Sequence, residues 1–314
     1  LGLGAGGPAY IWLTWIPVAG MLLVALVFGE LASHYPVAGA LYQYSKYTVG
    51  PRFGWFVGWF YGIALLVTVA SVDTGVVPYV TSLAKLWLGW QLDPTNHLVL
   101  LVVTLVLLAL QTSLNIIGAK VMGRVAMFGV YVEILGTSGV AVVLGIHGFH
   151  HGLGFLTSTL GAEHASANAL GLNFGGSWLG AALIAVLAPV YIFYGFESAG
   201  VPGLLGDVPG RQVPRAMRLS LLGGGIASFV LTAALLLAMP TGAASANLTV
   251  QNGGVPYIFS QLPHGMQDVL LVLIIFAFFS CGSAVQGAGS RLAFSYARDG
   301  ALPGSTWISE VSQR

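Results

Sequence analysis

Long apolar stretches separated by short polar segments dominate the sequence. A bilayer core of about 30 Å requires roughly 20 helical residues to cross it. Between residues 98 and 110 the side chains do not alternate between apolar and polar, as the strands of a transmembrane barrel would. The pattern therefore predicts an all-α integral membrane protein with seven full spans, preceded by the last turns of an earlier helix at residues 1–7. The predicted spans are 10–31, 53–80, 98–115, 125–146, 178–204, 217–239 and 268–290.

The composition excludes a soluble domain. Hydrophobic residues make up 56% of the 314-residue chain, charged residues only 7%, and the mean hydropathy is +0.86, whereas soluble domains carry about 25% charged residues. The net charge of +1 leaves no basic face for nucleic acid. The single cysteine, Cys281, excludes a disulfide within the chain and a thiolate metal cluster. The chain opens at Leu1 inside an apolar run and stops at Arg314, so we expect a piece of a longer protein, cut at both ends.

The basic residues are unevenly distributed between the two sides of the predicted membrane. Ten of the eleven lysines and arginines lie in or beside alternate connections along the chain, and only Lys85 lies on the opposite side. Cytoplasmic loops of membrane proteins are enriched in Lys and Arg. We therefore expect the protein in the cell membrane, with the loops 82–97, 147–177 and 241–267 outside. The predicted cytoplasmic segments are 32–52, 116–124, 205–216 and 291–314.

No motif of the sequence supports catalysis, cofactor binding or a metal site. The G-x-S-x-G, H-E-x-x-H and P-loop motifs do not occur, so we expect no enzyme activity, no cofactor and no bound metal. The motif Gly2-x-Gly4-x-x-Gly7 has the spacing of a dinucleotide-binding loop, but no strand precedes it. The packing of small residues between membrane helices explains this motif instead.

The fifth predicted span contains features that interrupt a helix. Pro189, Gly195, Gly200 and Pro202 surround the acidic residue Glu197, and proline removes a backbone donor while glycine relaxes the helix. We therefore expect a discontinuous helix, which is tolerated at membrane depth only inside the protein or beside a water-filled cavity. Its freed backbone groups can bind a small ion or zwitterion, and a proline-kinked packing helix with core aromatics is the alternative. Four aromatic residues would supply the walls of such a site: Tyr191, Phe193, Tyr194 and Phe196.

The acidic residues of the spans are few, and they differ in depth. Glu133 lies about 16 Å into its helix at 1.5 Å per residue, near the middle of the membrane, where a charged acid is costly. It must be protonated, paired or facing water, and a proton-coupling role and a structural role are both open. Asp73 lies about 30 Å along its helix by the same rise, which predicts a position near the outer interface. Glu30 ends its span at the cytoplasmic face.

Four segments resemble the amino acid–polyamine–organocation superfamily of transporters, in the order and on the sides of the membrane that the family has. The last of them is close to the branch that carries amino acids, γ-aminobutyrate and choline. The segments are Gly6-Gly7-Pro8 with Trp12, at the exit from the family's first helix; Glu30–Tyr42, at the cytoplasmic connection between helices two and three; Tyr194-Gly-Phe-Glu197 with Val213-Pro-Arg215, at the broken sixth helix and the loop after it; and Ser290–Pro303, after helix eight.

The resemblance implies a single transmembrane permease domain over residues 1–314, with two inverted five-helix repeats and discontinuous first and sixth helices. This chain would run from the end of helix one through helix eight. The implied function is secondary active transport of an amino acid, γ-aminobutyrate or a choline-like amine by alternating access, as a proton-coupled symport. An amino acid exchanger, a non-transporting nutrient sensor of the same fold, and sodium coupling through Ser280 and Ser283 are the alternatives.

The same resemblance implies the residues of the site. Backbone groups around Gly195 would take the amino end of the substrate, while Tyr191 and Tyr61 would close over it from outside. Glu197 would sense or carry the proton, and Glu133 is the second candidate for that role. The expected substrate-binding residues are Tyr61, Tyr191, Ile192, Phe193, Tyr194, Gly195 and Phe196.

Overall fold

The described part of the protein is helical. The computed structural model describes residues 1–35, 39–164, 175–196, 209–241 and 254–310, and within these ranges it contains helices, turns and bends but no β-strand. Two short 3₁₀ helices lie at Pro8–Thr14 and Leu153–Thr157. The α-helices are α1 (Gly2–Gly6), α2 (Trp15–His34), α3 (Ala40–Thr48), α4 (Pro51–Gly75), α5 (Val77–Leu88), α6 (His97–Ile117), α7 (Ala119–His147), α8 (Trp178–Ala185), α9 (Leu187–Ile192), α10 (Pro209–Leu237), α11 (Val255–Phe259), α12 (His264–Arg298) and α13 (Ser305–Ile308).

In the described ranges, six helical segments are long and apolar enough to cross a membrane. Each of the six overlaps one predicted span. The other predicted span, 178–204, is described only in part, because α8 and α9 end at residue 192 and residues 197–204 lie outside the described ranges. The predicted all-α integral membrane architecture is confirmed. The six segments are Pro8–His34, Pro51–Leu88, His97–Ile117, Gly123–Ile146, Gln212–Leu237 and His264–Arg298.

The spanning helices carry apolar side chains on their outward faces. Leu66 of α4 is 73% exposed, and Phe60 and Ile116 are similarly open. Lipid tails are as apolar as leucine, so burial of such side chains gives little drive for helices to associate in a membrane. Close packing at small residues and contacts between polar side chains therefore hold these helices together.

The helices α2 and α10 pack closely at two glycines. A Cβ on Gly29 would lie 2.9 Å from the Pro214 Cβ, and one on Gly225 would lie 3.1 Å from a methyl group of Val18. Any larger side chain at either glycine would push the helices apart. We call this unit the α2–α10 pair. Its buried side chains include Val18, Ala25, Ala32, Val213, Met217 and Leu221.

The helices α4 and α12 pack antiparallel to each other. Tyr296 near the end of α12 contacts Gly58 near the start of α4, whereas Gly282 in the middle of α12 lies beside Asp73 near the end of α4. The helix α6 packs against both of them. We call this unit the α4–α12 pair. Its buried side chains include Tyr61, Leu65, Ala288, Leu292 and Tyr296, together with Tyr42 of α3.

The helix α7 packs against α12 as well. Gly129 of α7 lies directly against the Ser280 side chain, and the rings of Phe128 and Phe276 meet edge to face with 5.4 Å between their centroids. The helix α12 therefore contacts α4, α6 and α7 along its length, which makes it the central scaffold of the described region.

Candidate functional site

The helix that begins with α8 is interrupted twice. The first interruption separates α8 from α9 at Val186. Pro189 has no N–H to donate to the Ala185 carbonyl four residues earlier, which accounts for this break. After α9 ends at Ile192, the chain forms a turn in which Gly195 has φ +89°. Residues other than glycine adopt that left-handed conformation only with strain, so the expected discontinuity is present in this turn.

A second interrupted element lies against the first. Gly7, with φ +61°, joins α1 to the 3₁₀ helix that follows. A Cβ on Gly6 would lie 2.8 Å from the Ala185 Cβ of α8. The indole Nε1 of Trp178 also donates a 3.2 Å hydrogen bond to the Gly6 carbonyl. The glycines at the start of the chain thus allow α1 and α8 to pack closely, and the two interrupted elements are neighbours.

The turn over residues 193–196, called here the Phe193–Phe196 turn, joins the α2–α10 pair to the α4–α12 pair. Phe193 and Phe196 are buried in the cluster between α2 and α10, and the Phe196 ring stacks on Phe28 with 6.0 Å between centroids. Tyr194 packs instead against the cluster that contains Tyr61. The turn therefore holds backbone groups outside a helix where two helix pairs meet, an arrangement that can bind a small polar ligand.

Glu133 lies at the midpoint of α7. It is the fifteenth of the 29 residues of that helix, and its side chain is exposed at the surface of the described helices. One turn earlier, Gly129 lies against Ser280 of α12. Cys281, the residue after Ser280 on α12, lies near Glu133. The carboxyl group therefore lies at the edge of the contact between α7 and α12.

A buried polar cluster that the sequence analysis did not predict joins α4, α6 and α12. Gln111 of α6 is 0% exposed, and its Nε2 donates a 2.7 Å hydrogen bond to Asp73 Oδ1 of α4. Gly282 of α12 lies against this pair, since a Cβ there would lie 3.0 Å from Asp73 Oδ1. One turn further along α6, Asn115 Nδ2 donates to Gln286 Oε1 of α12 at 2.8 Å. Polar side chains thus link three helices inside the described region.

The position of Asp73 corrects the expectation that it lies near the outer interface. Gly282 beside it is the nineteenth of the 35 residues of α12, so Asp73 lies opposite the middle of a spanning helix. The expectation assumed that the membrane begins at the start of α4. In the structure, α4 and α5 form one 38-residue helical segment, which is much longer than the roughly 20 residues that a bilayer requires. Gln111 follows a long apolar run in the sequence. This isolated amide could have indicated that Asp73 has a buried polar partner.

An apolar cleft of about 620 Å³ runs along the same three helices. Its lining extends from Gly58 and Tyr296 at one end to Asp73 and Thr104 at the other. Tyr296 also belongs to the cluster against which Tyr194 packs, so the cleft and the Phe193–Phe196 turn share a wall. The volume lies in the range of small-molecule pockets, although the lining is almost entirely apolar.

Comparison with known proteins identifies the family. Residues 2–314 match the family described as amino acid permease. The chain belongs to this family. The resemblance to the amino acid–polyamine–organocation superfamily is thereby confirmed, whereas the branch that carries amino acids, γ-aminobutyrate and choline stays a prediction. The family consists of permeases and not of enzymes.

Three curated relatives of the permease differ in the substrate that their names give. Thiamine transporter thi9 of Schizosaccharomyces pombe is 26% identical, and the match covers 99% of this chain and 58% of that protein. L-asparagine permease 1 of Mycobacterium tuberculosis is 25% identical over 96% of this chain and 60% of its own length. Low-affinity putrescine importer PlaP of Escherichia coli is 27% identical, and the match covers 91% of this chain and 58% of that protein. The chain thus spans less than two thirds of the length of these relatives.

The permease brings some of the expected substrate-binding residues together and leaves others apart. Tyr61 and Tyr194 pack in one cluster. Tyr191 and Ile192, at the end of α9, are 46% and 55% exposed, and neither is a member of that cluster. Glu197, the expected proton-coupling residue, lies outside the described residues.

At the predicted cytoplasmic end of the permease, Asp299 accepts three hydrogen bonds on one oxygen. Lys46 Nζ donates to Oδ2 at 2.7 Å, Tyr42 Oη at 2.8 Å and Gln43 Nε2 at 3.1 Å. Partial burial acts to raise the pKa of Asp299, but the hydrogen bonds from these three side chains and the positive charge of Lys46 outweigh it and lower that pKa below its usual value. The cluster ties α3 to the end of α12.

Proposed function

We propose that the permease is a secondary active transporter that moves an amino acid or a related amine across the membrane by alternating access. The observation that carries this proposal is the Phe193–Phe196 turn at the junction of the α2–α10 and α4–α12 pairs. An interrupted helix inside a membrane protein offers backbone donors and acceptors to a ligand. A turn between two helix units can also be covered from either side in turn, as one unit moves against the other.

The turn suggests how a substrate would be held. Carbonyl oxygens of Tyr194 and Gly195 would accept hydrogen bonds from the amino end of the substrate. The rings of Tyr194 and Tyr61 would form one wall of the site. Phe196, buried against α2, would fix the position of the turn, as would Phe193. Tyr191 and Ile192, which are exposed at the end of α9, would contact the substrate only at the edge of the site.

The backbone carbonyl oxygens and aromatic rings of the turn suggest the substrate class. The relatives suggest it less clearly, because their names give different substrates. An amino acid, γ-aminobutyrate and a choline-like amine all carry a cationic nitrogen. Carbonyl oxygens and the faces of aromatic rings both attract such a group. We propose that the permease carries a member of this class and that the cell membrane is its location.

For the coupling ion, we propose a proton. Glu197 follows the turn directly in sequence, and Glu133 presents a carboxyl group at the midpoint of α7. Coupling requires that protonation favours one access state over the other. One charge crossing 100 mV supplies about 2.3 kcal/mol, which sustains roughly 50-fold accumulation at 1.4 kcal/mol per tenfold. Ser283, considered for sodium, donates its hydroxyl to the Phe279 carbonyl of its own helix at 2.7 Å, an ordinary use of serine in a membrane helix.

Uptake into proteoliposomes tests the proposal. The purified permease would be supplied with labelled asparagine, γ-aminobutyrate, putrescine or choline, with and without an inward proton gradient. We expect net uptake of at least one of them, stimulated by the gradient, and we expect Glu197→Gln to remove this stimulation while exchange survives. Uptake that requires substrate inside the liposomes would show that the permease is an exchanger and not a symporter. Binding of substrate without any flux would contradict transport and indicate a sensor.

A glycine variant tests the role of the turn in the same assay. Gly195→Ala forces a Cβ into the left-handed conformation, at a cost of about 1–2 kcal/mol, and roughly tenfold slower uptake is expected because 1.4 kcal/mol corresponds to tenfold. Gly20→Ala is the matched control, since nothing lies within 4 Å of a Cβ at that position on α2. Equal uptake by the two variants would contradict a role of the turn in substrate binding.

A further inference from the structure

Asp73 and Gln111 leave two buried oxygen atoms without a partner. Asp73 is 1% exposed and Gln111 is 0% exposed. The hydrogen bond between them uses Gln111 Nε2 and Asp73 Oδ1. In the part of the chain that the structure describes, Asp73 Oδ2 and Gln111 Oε1 are buried and have no hydrogen-bond partner. An ionised carboxylate and an amide carbonyl can only accept, so neither atom can satisfy the other while Asp73 carries a charge.

One proton supplies the donor that both atoms lack. On Asp73 Oδ2, it makes the carboxyl group a donor for the Gln111 carbonyl, while Oδ1 continues to accept from the Gln111 amide. The two side chains then form a closed pair with two hydrogen bonds. We propose that Asp73 and Gln111 form a proton-binding site, in which a neutral carboxyl group pairs with the amide and fixes the packing of α4, α6 and α12.

The groups that face this site from the neighbouring helices do not favour a charged Asp73. On α12, Cys281 is next in sequence to Gly282, which contacts Asp73, and it lies near Glu133 of α7. From α5, Tyr79 packs its ring on Phe278 of α12 with 5.5 Å between centroids. A thiol, a carboxyl group and a phenol are neutral or negative, so none of them supplies a positive counter-charge to a carboxylate.

The described basic side chains of the neighbouring helices do not pair with Asp73. On α7, Arg124 lies five residues before Gly129, and it is exposed. Within the described residues, no lysine or arginine forms an ion pair with Asp73. Lys85 on α5 lies twelve residues beyond Asp73, and Arg291 on α12 lies nine residues from Gly282, about 18 Å and 14 Å along the helices at 1.5 Å per residue. On α6, the titratable side chain is His97, fourteen residues or about 21 Å from Gln111. A carboxylate here would lack a counter-charge in a medium that does not tolerate one.

A metal cation fits the site less well than a proton. A hard cation such as Ca²⁺ takes about six to eight oxygen ligands. In the lining of the cleft, the other buried side-chain oxygen that lacks a partner among the described residues is Thr104 Oγ1. Thr104 lies seven residues from Gln111 on α6, about 10 Å along the helix, and the two cannot share one ion. A single proton, in contrast, satisfies both unpaired atoms.

The site links protonation to helix packing. A Cβ on Gly282 would lie only 3.0 Å from Asp73 Oδ1, so α12 leaves no room for water on that side of the pair. Loss of the proton would therefore favour a state in which α12 lies further from α4, and Asp73, which lines the cleft, would then be hydrated from it. A role of this movement in transport rests on the proposed function, whereas the proton site itself does not.

Infrared spectroscopy of the purified permease in lipid vesicles tests the site without any substrate. A protonated carboxyl group has a carbonyl stretching band that a carboxylate lacks. At neutral pH, we expect the spectrum of the wild type minus that of Asp73→Asn to contain this band. The corresponding difference for Asp299→Asn should lack this band, because Asp299 is paired with Lys46 as a carboxylate. Absence of the band from the Asp73→Asn difference would overturn the proposal, whatever the outcome of the uptake assays.

Two further variants keep the test independent of folding defects. Gln111→Leu removes the partner but keeps the carboxyl group, so we expect the Asp73 band to shift. An unshifted band would overturn the pairing. Asp73→Asn should fold, because its Nδ2 can donate to Gln111 Oε1 while its Oδ1 accepts from Gln111 Nε2.

The dependence of thermal stability on pH and on salt completes the test. A carboxyl group that is neutral in the folded state contributes stability that is lost as pH rises through its ionisation in that state. We expect the unfolding midpoint of the wild type to fall with rising pH more steeply than that of Asp73→Asn, and parallel profiles would overturn the proposal. Stabilisation by NaCl but not by KCl at equal ionic strength, lost in Asp73→Asn, would overturn it in favour of a sodium site.

Discussion

Two aspartates of the same helix assembly are held in opposite ways. Asp299, at the end of α12, accepts hydrogen bonds from Lys46, Tyr42 and Gln43. Asp73, opposite the middle of α12, has one amide donor and no ion-pair partner among the described residues. At the end of a helix, a basic side chain and water can stabilise a carboxylate, whereas in the middle of a membrane only groups on neighbouring helices can do so. Under the proposed proton site, the depth of an aspartate, rather than the residue type, decides whether it carries a charge.

The two sites are expected to respond to pH in opposite directions. The lowered pKa of Asp299 means that its contribution to stability is present above the pKa of the unfolded chain and is lost as pH falls through the folded-state pKa. The proposed acid–amide pair of Asp73 and Gln111 behaves the other way, since its contribution is lost as pH rises. Falling pH should therefore destabilise the packing at the end of α12, and rising pH should destabilise the packing at its middle. Three variants test this contrast.

The largest effect is expected for Gln111→Leu. The substitution leaves both oxygens of the Asp73 carboxyl group buried without a partner, so we expect the unfolding free energy to fall by about 3 kcal/mol. Unfolding of the permease in detergent by a denaturant series measures this change. Thr104→Val is the control on the same helix, because the Thr104 hydroxyl is buried without a partner, and its loss should change stability by less than about 0.5 kcal/mol. Similar losses in both variants would show that the Asp73–Gln111 pair has no special importance.

The difference between these two sites also shows how far the sequence could be interpreted. Long apolar runs predicted the helices that cross the membrane, and Pro189 with Gly195 predicted the break in the helix of the candidate site. The Asp73–Gln111 pair was not predicted, because its members lie on two helices and their depths depend on how α4 and α12 are aligned. The cluster around Asp299 was missed for a similar reason, since its partners are more than 250 residues away in sequence.

The directions of the side chains at the candidate site could not be predicted from the sequence either. Tyr191 and Tyr194 lie three residues apart, yet one is exposed and the other packs with Tyr61. The helix ends between them, so helical periodicity no longer relates the two side chains. Only the path of the turn after Ile192 decides which aromatic ring points to which helix pair.

An intermediate effect is expected for Gly282→Ala. The new methyl group would meet Gln111 Nε2 and lie 3.0 Å from Asp73 Oδ1. Either the Gln111 amide must move away from Asp73 or α12 must shift, at a cost of about 2 kcal/mol. Gly289→Ala, two turns away on the same helix, is the control, because the nearest atom is the Leu65 Cβ at 3.9 Å. The control should be neutral or slightly stabilising, since alanine favours a helix by up to about 1 kcal/mol over glycine. Thermal unfolding of the two variants side by side measures the difference, and equal midpoints would refute tight packing at Gly282.

The smallest effect is expected for Asp299→Asn. Its partner Lys46 and Asp299 itself are partly open to water, so loss of the ion pair should lower the unfolding free energy by about 1 kcal/mol or less at neutral pH. The loss should disappear in acid, where the wild-type carboxyl group is protonated too. Stability profiles of both proteins from neutral to acid pH measure this convergence. Profiles that stay apart in acid would mean that Asp299 acts through something other than its charge.

The central claim is that the Phe193–Phe196 turn binds the transported molecule, and protection of a cysteine placed there tests it most directly. Cys281 is the single cysteine of the chain, so Cys281→Ser removes it. In this background, Tyr194→Cys and, as a control, Ile116→Cys at the exposed end of α6 can be labelled with a maleimide. We predict that the compound taken up in the proteoliposome assay slows labelling at position 194 at least severalfold and leaves labelling at position 116 unchanged. Equal labelling at position 194 with and without that compound would contradict the account.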